Sequence, residues 1–288
     1  MPRHALVSML AMGLVMGLAT LPAVSLADDI RPKAPETAFS GKLRPDILGI
    51  STESNAESAR GVFDSLFKGR TDTKTDIQQQ KFGGASYVAA LNFSLPAGSK
   101  QNGEMLSTSF SSPASGNRAY FVARNLTFAQ DQQPSKADMI KEVMGKYGVP
   151  TIVGDQHLYY IYRKGSIMSV GGKYKEATAL EAIDKPLDPR AAVKLNGDTV
   201  RGSCVAVVKR AQTKAKEPSA MLTEAKGANC DGVLSVQLVP GTPADRVGIA
   251  QFTLLDVKQF VSAAAIDSAA LAAGPNDGST PRGSAPKL

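Results

Sequence analysis

The chain contains the same pattern of helix signals twice. Ser54 with Glu57, and Ser135 with Asp138, each place a small polar residue three positions before an acidic one, as at the start of a helix. Apolar residues follow both starts at helical spacing, and they coincide when Ser54 is aligned with Ser135. The aligned pairs are Ala59 with Ile140, Val62 with Val143, Phe63 with Met144, and Leu66 with Tyr147. This predicts one helix over 55–68, a second from Ser135 to a stop at Gly148, and a repeat of about 81 residues.

Strand patterns follow each predicted helix. Strict alternation over ASYVAALNFSL predicts a half-buried strand, and MLSTSF and AYFVARNLTFA predict two more. After the second helix, strands are predicted in HLYYIYRKGSIMSV, with a hairpin turn at Lys164-Gly165, and in CVAVVKR, GVLSVQLV and VGIAQFTLL. An amphipathic helix, DVKQFVSAAAIDSAALAA, closes the series. The predicted fold is α+β, with two helix-plus-antiparallel-meander units in one shared sheet or in two.

The N-terminal residues indicate export. A basic start at Arg3 and His4 precedes an apolar run, and Ser25-Leu26-Ala27 supplies the small residues of a cleavage site. We therefore expect a periplasmic protein cleaved after Ala27, or alternatively a secreted one, with no transmembrane segment. The predicted segments are a signal peptide (1–27), an extended linker (28–45), a first unit (46–130), a second unit with a disulfide-closed loop and C-terminal helix (131–273), and a disordered tail (274–288).

The chain has two cysteines, Cys204 and Cys230. An even pair in an exported chain usually forms a disulfide, because disulfides persist in oxidising compartments. A redox role would favour the closer spacing of a CxxC motif, and a metal site would need more ligands. The pair is therefore interpreted as a structural staple around the loop between the two cysteines.

The pattern of a capped helix, an antiparallel meander and a KYGVP exit resembles a known kind of envelope domain. It is similar to the repeat of the β-lactamase-inhibitor-protein-like and SmpA/OmlA (BamE-like) domains, and to periplasmic proteins with similar helix ends, over roughly residues 47–170. The outer-membrane assembly members of that group are lipoproteins, whereas this chain lacks a lipid-bearing cysteine. The resemblance implies a binding or scaffold role in the cell envelope.

Charge limits the classes of partner. The formal net charge is +7 at pH 7, and the charges are scattered except for a local excess from Lys209 to Lys226. A mildly basic surface favours anionic lipid or polysaccharide, whereas nucleic-acid binding needs clustered cations on a recognisable module. We expect an envelope protein partner and no nucleic acid.

Catalytic motifs have little support. A penicillin-recognising set could be assembled from Ser65 and Lys68 as SxxK, but Ser65 lies at the end of its predicted helix, whereas that nucleophile belongs at a helix start. His157 is the one histidine after the signal peptide, and no GxSxG or HExxH motif occurs. We therefore predict no catalytic residue, no metal and no cofactor, and a serine hydrolase is the least favoured reading.

Tyrosines form the best candidate for a binding surface. Tyrosine combines apolar area with a polar tip, and Arg163 and Lys164 follow a tyrosine-rich strand. The candidate surface consists of Tyr147, Tyr159, Tyr160, Tyr162, Arg163 and Lys164. Alternation places Tyr160 and Tyr162 on one face and Tyr159 on the other. The function predicted is a periplasmic binding or interaction protein without catalytic machinery, and the alternative is a small-molecule or lipid-binding protein.

Overall fold

The computed structural model describes residues 32–39, 43–168, 174–187, 205–208, 218–228 and 230–273. The elements whose bounds are described are five α-helices, two short 3-10 helices (Pro113–Ser115 and Gln130–Gln132) and nine strands. The helices are α1 (Ala56–Leu66), α2 (Lys136–Tyr147), α3 (Glu176–Ala182), α4 (Pro218–Gly227) and α5 (Val257–Ala273). The strands are β1 (Lys74–Phe82), β2 (Ala85–Leu95), β3 (Gly103–Phe110), β4 (Ala119–Thr127), β5 (Ile152–Gly154), β6 (His157–Arg163), β7 (Ser166–Ile167), β8 (Gly232–Pro240) and β9 (Val247–Asp256). The predicted signal peptide and C-terminal tail lie outside the described residues.

All nine strands belong to one antiparallel sheet, so the predicted α+β class is confirmed. The order is β1-β2-β3-β4-β9-β8-β6-β5, and β7 pairs with β6. β4 and β9 join the middle of the sheet through seven register pairs, from Phe121 opposite Leu255 to Thr127 opposite Ile249. On one side of this junction, β1 to β4 pair in chain order. On the other side, β5, β6, β8 and β9 pair in that order, with β7, α3 and α4 between β6 and β8 in the chain.

The predicted N-cap residue is confirmed for α2 but not for α1. Ser135 caps α2 as predicted, since its hydroxyl accepts from the backbone N–H of Asp138 at 3.0 Å. The cap of α1 is Asn55 rather than Ser54, and it forms a capping box with Ser58. Asparagine caps helices as well as serine does, so the sequence pattern alone does not separate the two positions.

Two predicted stretches have a different structure. The polar residues before β2, for which the sequence predicts no strand, form β1, a strand whose first eight residues are exposed. β1 lacks an apolar face, and its pairing with β2 is what holds it in the sheet. Within CVAVVKR, the described residues 205–208 are helical and not a strand. A short apolar run does not distinguish a buried helical turn from a strand.

Helices pack against both faces of the sheet. One face packs against α1 and α2 through a core that includes Leu91, Leu106, Val122, Tyr160 and Leu254 from the strands. The opposite face packs against residues 205–208, α4 and α5 through Phe121, Tyr159, Val233 and Leu255. We call these the α1 face and the α5 face.

Residues 32–39, predicted as part of an extended linker, are extended but are not a linker. Phe39 is 2% exposed, and its ring meets that of Tyr162 edge-on at 4.9 Å between centroids. Backbone and side-chain contacts continue toward the N-terminus, including a hydrogen bond from the Glu36 N–H to Ser262 Oγ at 3.0 Å. We call residues 32–39 the strap, because they tie the chain across α5 and the end of β6.

Asp256 anchors the strap. Its carboxylate accepts the Thr37 hydroxyl at 2.6 Å and the Ala38 N–H at 3.0 Å, and it also accepts the Gln259 N–H at the start of α5 at 2.8 Å. Asp256 is fully buried, and this burial raises the pKa of its carboxyl to about 6 despite those hydrogen bonds. One side chain thus caps α5 and holds the strap.

The raised pKa of Asp256 predicts a pH dependence of stability. A carboxyl whose pKa is higher in the folded than in the unfolded state binds protons more tightly when folded, so its stabilising contribution is complete below pH 4 and is lost as pH rises through 6. We expect a loss of up to about 3 kcal/mol in the free energy of unfolding over that range. Asp256→Asn should remove this component, whereas Asp131→Asn, at an exposed position, should keep it. Denaturant titrations between pH 4 and 7 measure it, and equal pH profiles for wild type and Asp256→Asn would contradict it.

The described residues include only one of the two cysteines of the predicted disulfide. Cys230 is 7% exposed, lies in the core of the α5 face, and is not a free thiol. Cys204 lies outside the described residues, so the pairing of Cys204 with Cys230 stays a prediction. Among the described residues, no helix is long and apolar enough to cross a membrane.

Candidate functional site

Three members of the predicted tyrosine surface, Tyr159, Tyr160 and Tyr162, are buried and divided between two cores. Tyr159 and Tyr160 are 0% exposed and Tyr162 is 2% exposed. As the alternation predicts, Tyr160 and Tyr162 lie on the α1 face and Tyr159 on the α5 face. Both faces of β6 are therefore packed in hydrophobic cores.

The other members of that set lie apart. Tyr147 is half-buried at the end of α2, and its hydroxyl donates to the Asp46 carbonyl oxygen at 2.9 Å. Burial raises its pKa well above the ordinary value for tyrosine. Arg163 is half-buried, and Lys164 is exposed in the β6–β7 turn with positive φ, where its N–H donates to Asp231 Oδ2 at 2.6 Å. Only this turn could meet a partner without opening the fold.

A different surface is open, on the part of the α5 face that α5 does not cover. Directly opposed residues in antiparallel strands point to the same face, so the register defines rows across the sheet. One row runs Gln237, Gln251, Asn125, Met105, Ser94 and Lys74, and the next runs Thr253, Ala123, Ser107, Asn92 and Asp76. We define the open face as Asn92, Ser94, Met105, Ser107, Asn125, Gln237 and Gln251.

Met105 shows that this surface is uncovered. β3 is an interior strand, paired with β2 on one side and β4 on the other. Even so, the Met105 side chain is 55% exposed, whereas its neighbour Leu106 on the α1 face is 1% exposed. The other six residues of the open face are half-buried, as expected for side chains that stand on a sheet without a layer above them.

The open face is polar but uncharged at its centre. Its groups are amides, hydroxyls and one thioether, and charge enters only at the β1 margin, where Asp76 accepts from Asn92 Nδ2 at 3.2 Å. The Oδ1 atom of Asn125 is buried and has no hydrogen-bond partner among the described residues. Such a face presents both donors and acceptors, and its methionine adapts to the shape of a partner.

The residues considered for catalysis are not members of the open face. His157 is 7% exposed, its Nδ1–H donates to the Asp155 carbonyl oxygen at 2.6 Å, and its ring stacks on Tyr159 at 5.0 Å. Ser65 is exposed near the end of α1, and Lys68 lies beyond that helix. Among the described residues, no cluster of three or more His, Cys, Asp or Glu side chains is placed to hold a metal ion.

The sequence contains part of the signal for the open face. Asn92, Ser94, Ser107 and Asn125 alternate with the core residues of β2, β3 and β4. The alternation identifies a polar face, but it does not show which strands lie side by side or where α5 stops covering them. Both depend on the long-range β4–β9 pairing.

Comparison with known proteins found no match for this chain. No family model matches it, no curated protein is similar to it, and no solved structure matches its fold. The resemblance to β-lactamase-inhibitor-protein-like and BamE-like domains therefore stays an expectation from the sequence.

Proposed function

We propose that this chain is an exported binding protein of the cell envelope, without catalytic machinery, and that the open face is its recognition surface. The observation that carries the proposal is Met105, a large apolar side chain that is 55% exposed in the middle of an interior strand. Methionine is enriched in protein–protein interfaces relative to the rest of the protein surface. The signal-peptide pattern supports the compartment.

The dimensions of the open face favour a protein partner. It spans the adjacent strands β2, β3, β4, β9 and β8, and at about 4.8 Å per strand it is roughly 20 Å across. Small-molecule sites are usually enclosed, so that most of the ligand surface is buried. A wide row of amides and hydroxyls around one methionine instead fits the polar and partly wet interfaces that proteins form.

The chemistry of the open face supports a role without catalysis. Amides, hydroxyls and a thioether do not titrate near neutral pH, so they do not by themselves supply a general acid or base. His157, the one histidine of the mature chain, is covered and its Nδ1 is engaged with a backbone carbonyl. The least favoured function is a serine hydrolase at Ser65, and neither α1 nor the turn after it contains a histidine.

We also infer that the two halves of the sheet are repeated units, as the sequence pattern predicts. The inference is supported by the order of elements, since α1 precedes β1 to β4 and α2 precedes β5, β6, β8 and β9. The last strands of the two meanders, β4 and β9, pair with each other at the centre. This arrangement is expected when two copies of one unit join edge to edge.

A matched pair of substitutions tests the recognition surface. Met105→Glu places a charge on the open face, whereas Leu271→Glu places one at a position on α5 with similar exposure, 60% against 55%. We expect Met105→Glu to weaken retention of the envelope protein partner by at least about tenfold, because an unpaired charge is desolvated at the interface, and Leu271→Glu to leave it unchanged. Quantitative co-purification from cells that express each variant measures this. Equal retention by both variants would contradict the proposed site.

The alternative, a small-molecule or lipid-binding protein, predicts a different result. A ligand that binds only the folded state raises the thermal midpoint, by an amount that depends on its concentration relative to Kd. The thermal midpoint of a scaffold protein should instead stay unchanged when small ligands are added. Thermal unfolding with and without vesicles of anionic lipid separates the two, and a rise that Met105→Glu abolishes would favour the lipid-binding alternative.

A further inference from the structure

β1 is a long edge strand with an open outer side. It ends the strand order and pairs only with β2 among the described strands. Eight of its nine residues are exposed. Natural proteins usually keep edge strands short, interrupted or covered, because a row of unpaired N–H and C=O groups is a template for another strand. β1 therefore offers an accessible template over its full length.

The β-bulge beside β1 lies on β2, so β1 itself is regular. The register skips Ala89 on β2, between the residues opposite Gln78 and Gln79. Side chains of β1 therefore alternate between the two sides of the sheet without interruption. A hydrogen bond from Gln78 Nε2 to Asp76 Oδ2 at 3.2 Å agrees with this, since the two residues share one side. Bulges and prolines often interrupt an edge strand, and β1 contains neither.

The unpaired backbone of β1 determines what kind of segment fits along it. In an antiparallel pair, alternate residues direct both N–H and C=O toward the partner strand, and the residues between them direct these groups away. About half of the residues of β1 therefore present a donor and an acceptor on its outer side. An extended segment satisfies this row with its own backbone, whereas the backbone groups of a helix are already paired within the helix.

The two sides of β1 have different surroundings. Asp76 lies at the margin of the open face, where Asn92 Nδ2 donates to its carboxylate at 3.2 Å. Ile77 points to the opposite side and lies opposite Leu91, a core residue of the α1 face. A partner that rested only on the open face would not reach Ile77. A strand paired with β1 would have side chains on both sides of the sheet and would reach it.

The side chains of β1 also indicate the chemistry of the segment. Ile77 is 37% exposed, so an apolar residue opposite it on an added strand would cover apolar surface. Among the described residues, Asp76 accepts hydrogen bonds only from neutral amides, those of Gln78 and Asn92. A basic residue opposite Asp76 would neutralise this charge, and opposite charges across two strands stabilise their pairing. The segment that fits has an apolar residue next to a basic one.

We propose that the envelope protein partner adds an extended segment to β1 as a further strand of the sheet, with an apolar residue opposite Ile77 and a basic residue opposite Asp76. This inference rests on the proposed function, because it describes how the partner on the open face is held at the β1 margin. Backbone pairing provides affinity in this mode of recognition, and alternate side chains provide specificity.

A substitution on the side away from the open face tests the added strand. Ile77→Lys places a charge opposite an apolar residue, so we expect retention of the partner to fall by at least about fivefold. Leu180→Lys, on α3 with 39% exposure against 37%, is the matched control. Ile77→Val should keep the partner, because it keeps an apolar side chain. Quantitative co-purification measures retention, and far-ultraviolet circular dichroism provides the control for folding. Equal retention by Ile77→Lys and Leu180→Lys would overturn the proposal.

Photo-crosslinking from β1 tests the strand pairing itself. A photoreactive amino acid is placed in turn at positions 75, 77, 79 and 81, which share the side away from the open face. We expect the crosslinked residues, located by mass spectrometry, to lie in one segment of the partner. They should shift along it by about two residues from each position to the next, since paired strands have the same rise per residue. Scattered crosslinks, or none from these positions, would overturn the pairing.

Failure of the strand pairing and failure of the proposed function give different results. Retention that falls with Met105→Glu but not with Ile77→Lys would overturn the pairing and leave the open face as the recognition surface. Retention that falls with Ile77→Lys but not with Met105→Glu would support the pairing and contradict the open face. Retention that neither variant lowers would contradict both.

Discussion

Phe39→Ala is expected to lower the free energy of unfolding by about 3 kcal/mol, although Phe39 lies in a segment with the composition of a linker. The ring is 2% exposed and packs against Tyr162 and the backbone of β8 at Gly232. Removing it leaves a cavity or releases the strap, and either outcome exposes apolar surface. Equilibrium denaturation measures the loss. Lys33→Ala, at an exposed strap position, should change stability by less than about 0.5 kcal/mol.

A second substitution shows whether the loss comes from this contact. A Cβ atom at Gly232 would lie 2.7 Å from Phe39 Cζ, so Gly232→Ala forces the ring to move. Gly232→Ala should therefore destabilise the wild type more than it destabilises Phe39→Ala. If the effects of the two substitutions are additive, the ring does not occupy this site and the account of the strap is wrong.

Removal of the predicted disulfide is expected to lower the free energy of unfolding by a similar amount. In the chain-entropy description, a bond that closes a loop of about 25 residues stabilises the folded state by about 3 kcal/mol. Cys204→Ser combined with Cys230→Ala should therefore lower the free energy of unfolding by that amount. The alanine is chosen because Cys230 is buried in an apolar core, where a hydroxyl without a hydrogen-bond partner would itself destabilise the fold.

Mass analysis under non-reducing conditions provides the independent check on that bond. The exported protein should be lighter than the reduced chain by two hydrogen atoms. Alkylation of both cysteines without prior reduction would contradict the pairing, and with it much of the argument for an oxidising compartment.

Elements with a clear hydrophobic period could be predicted from the sequence. β2 begins and ends where its alternation does, and β8 and β9 coincide closely with their apolar runs. β1 could not be predicted, since its side chains are polar on both faces and its stability comes from pairing with β2. The packing of the strap could not be predicted for a related reason, because one phenylalanine among prolines and polar residues has no hydrophobic period.

The candidate site depended on information that the sequence does not contain. Alternation correctly divided Tyr159 from Tyr160 and Tyr162, yet all three are buried, because helices distant in sequence cover both faces. Conversely, Asn125 and Gln251 are opposite each other only through the β4–β9 junction. Local pattern thus predicts which side a residue faces, and only the assembled layers show which side is open.

Site-specific photo-crosslinking in intact cells tests the recognition surface most directly. A photoreactive amino acid at position 105 lies on the open face, and one at position 271 lies on α5 with similar exposure. The proposal predicts a crosslinked protein partner from position 105 that is absent from position 271. Crosslinks from position 271 alone, or equal crosslinks from both positions, would contradict the assignment of the open face as the recognition surface.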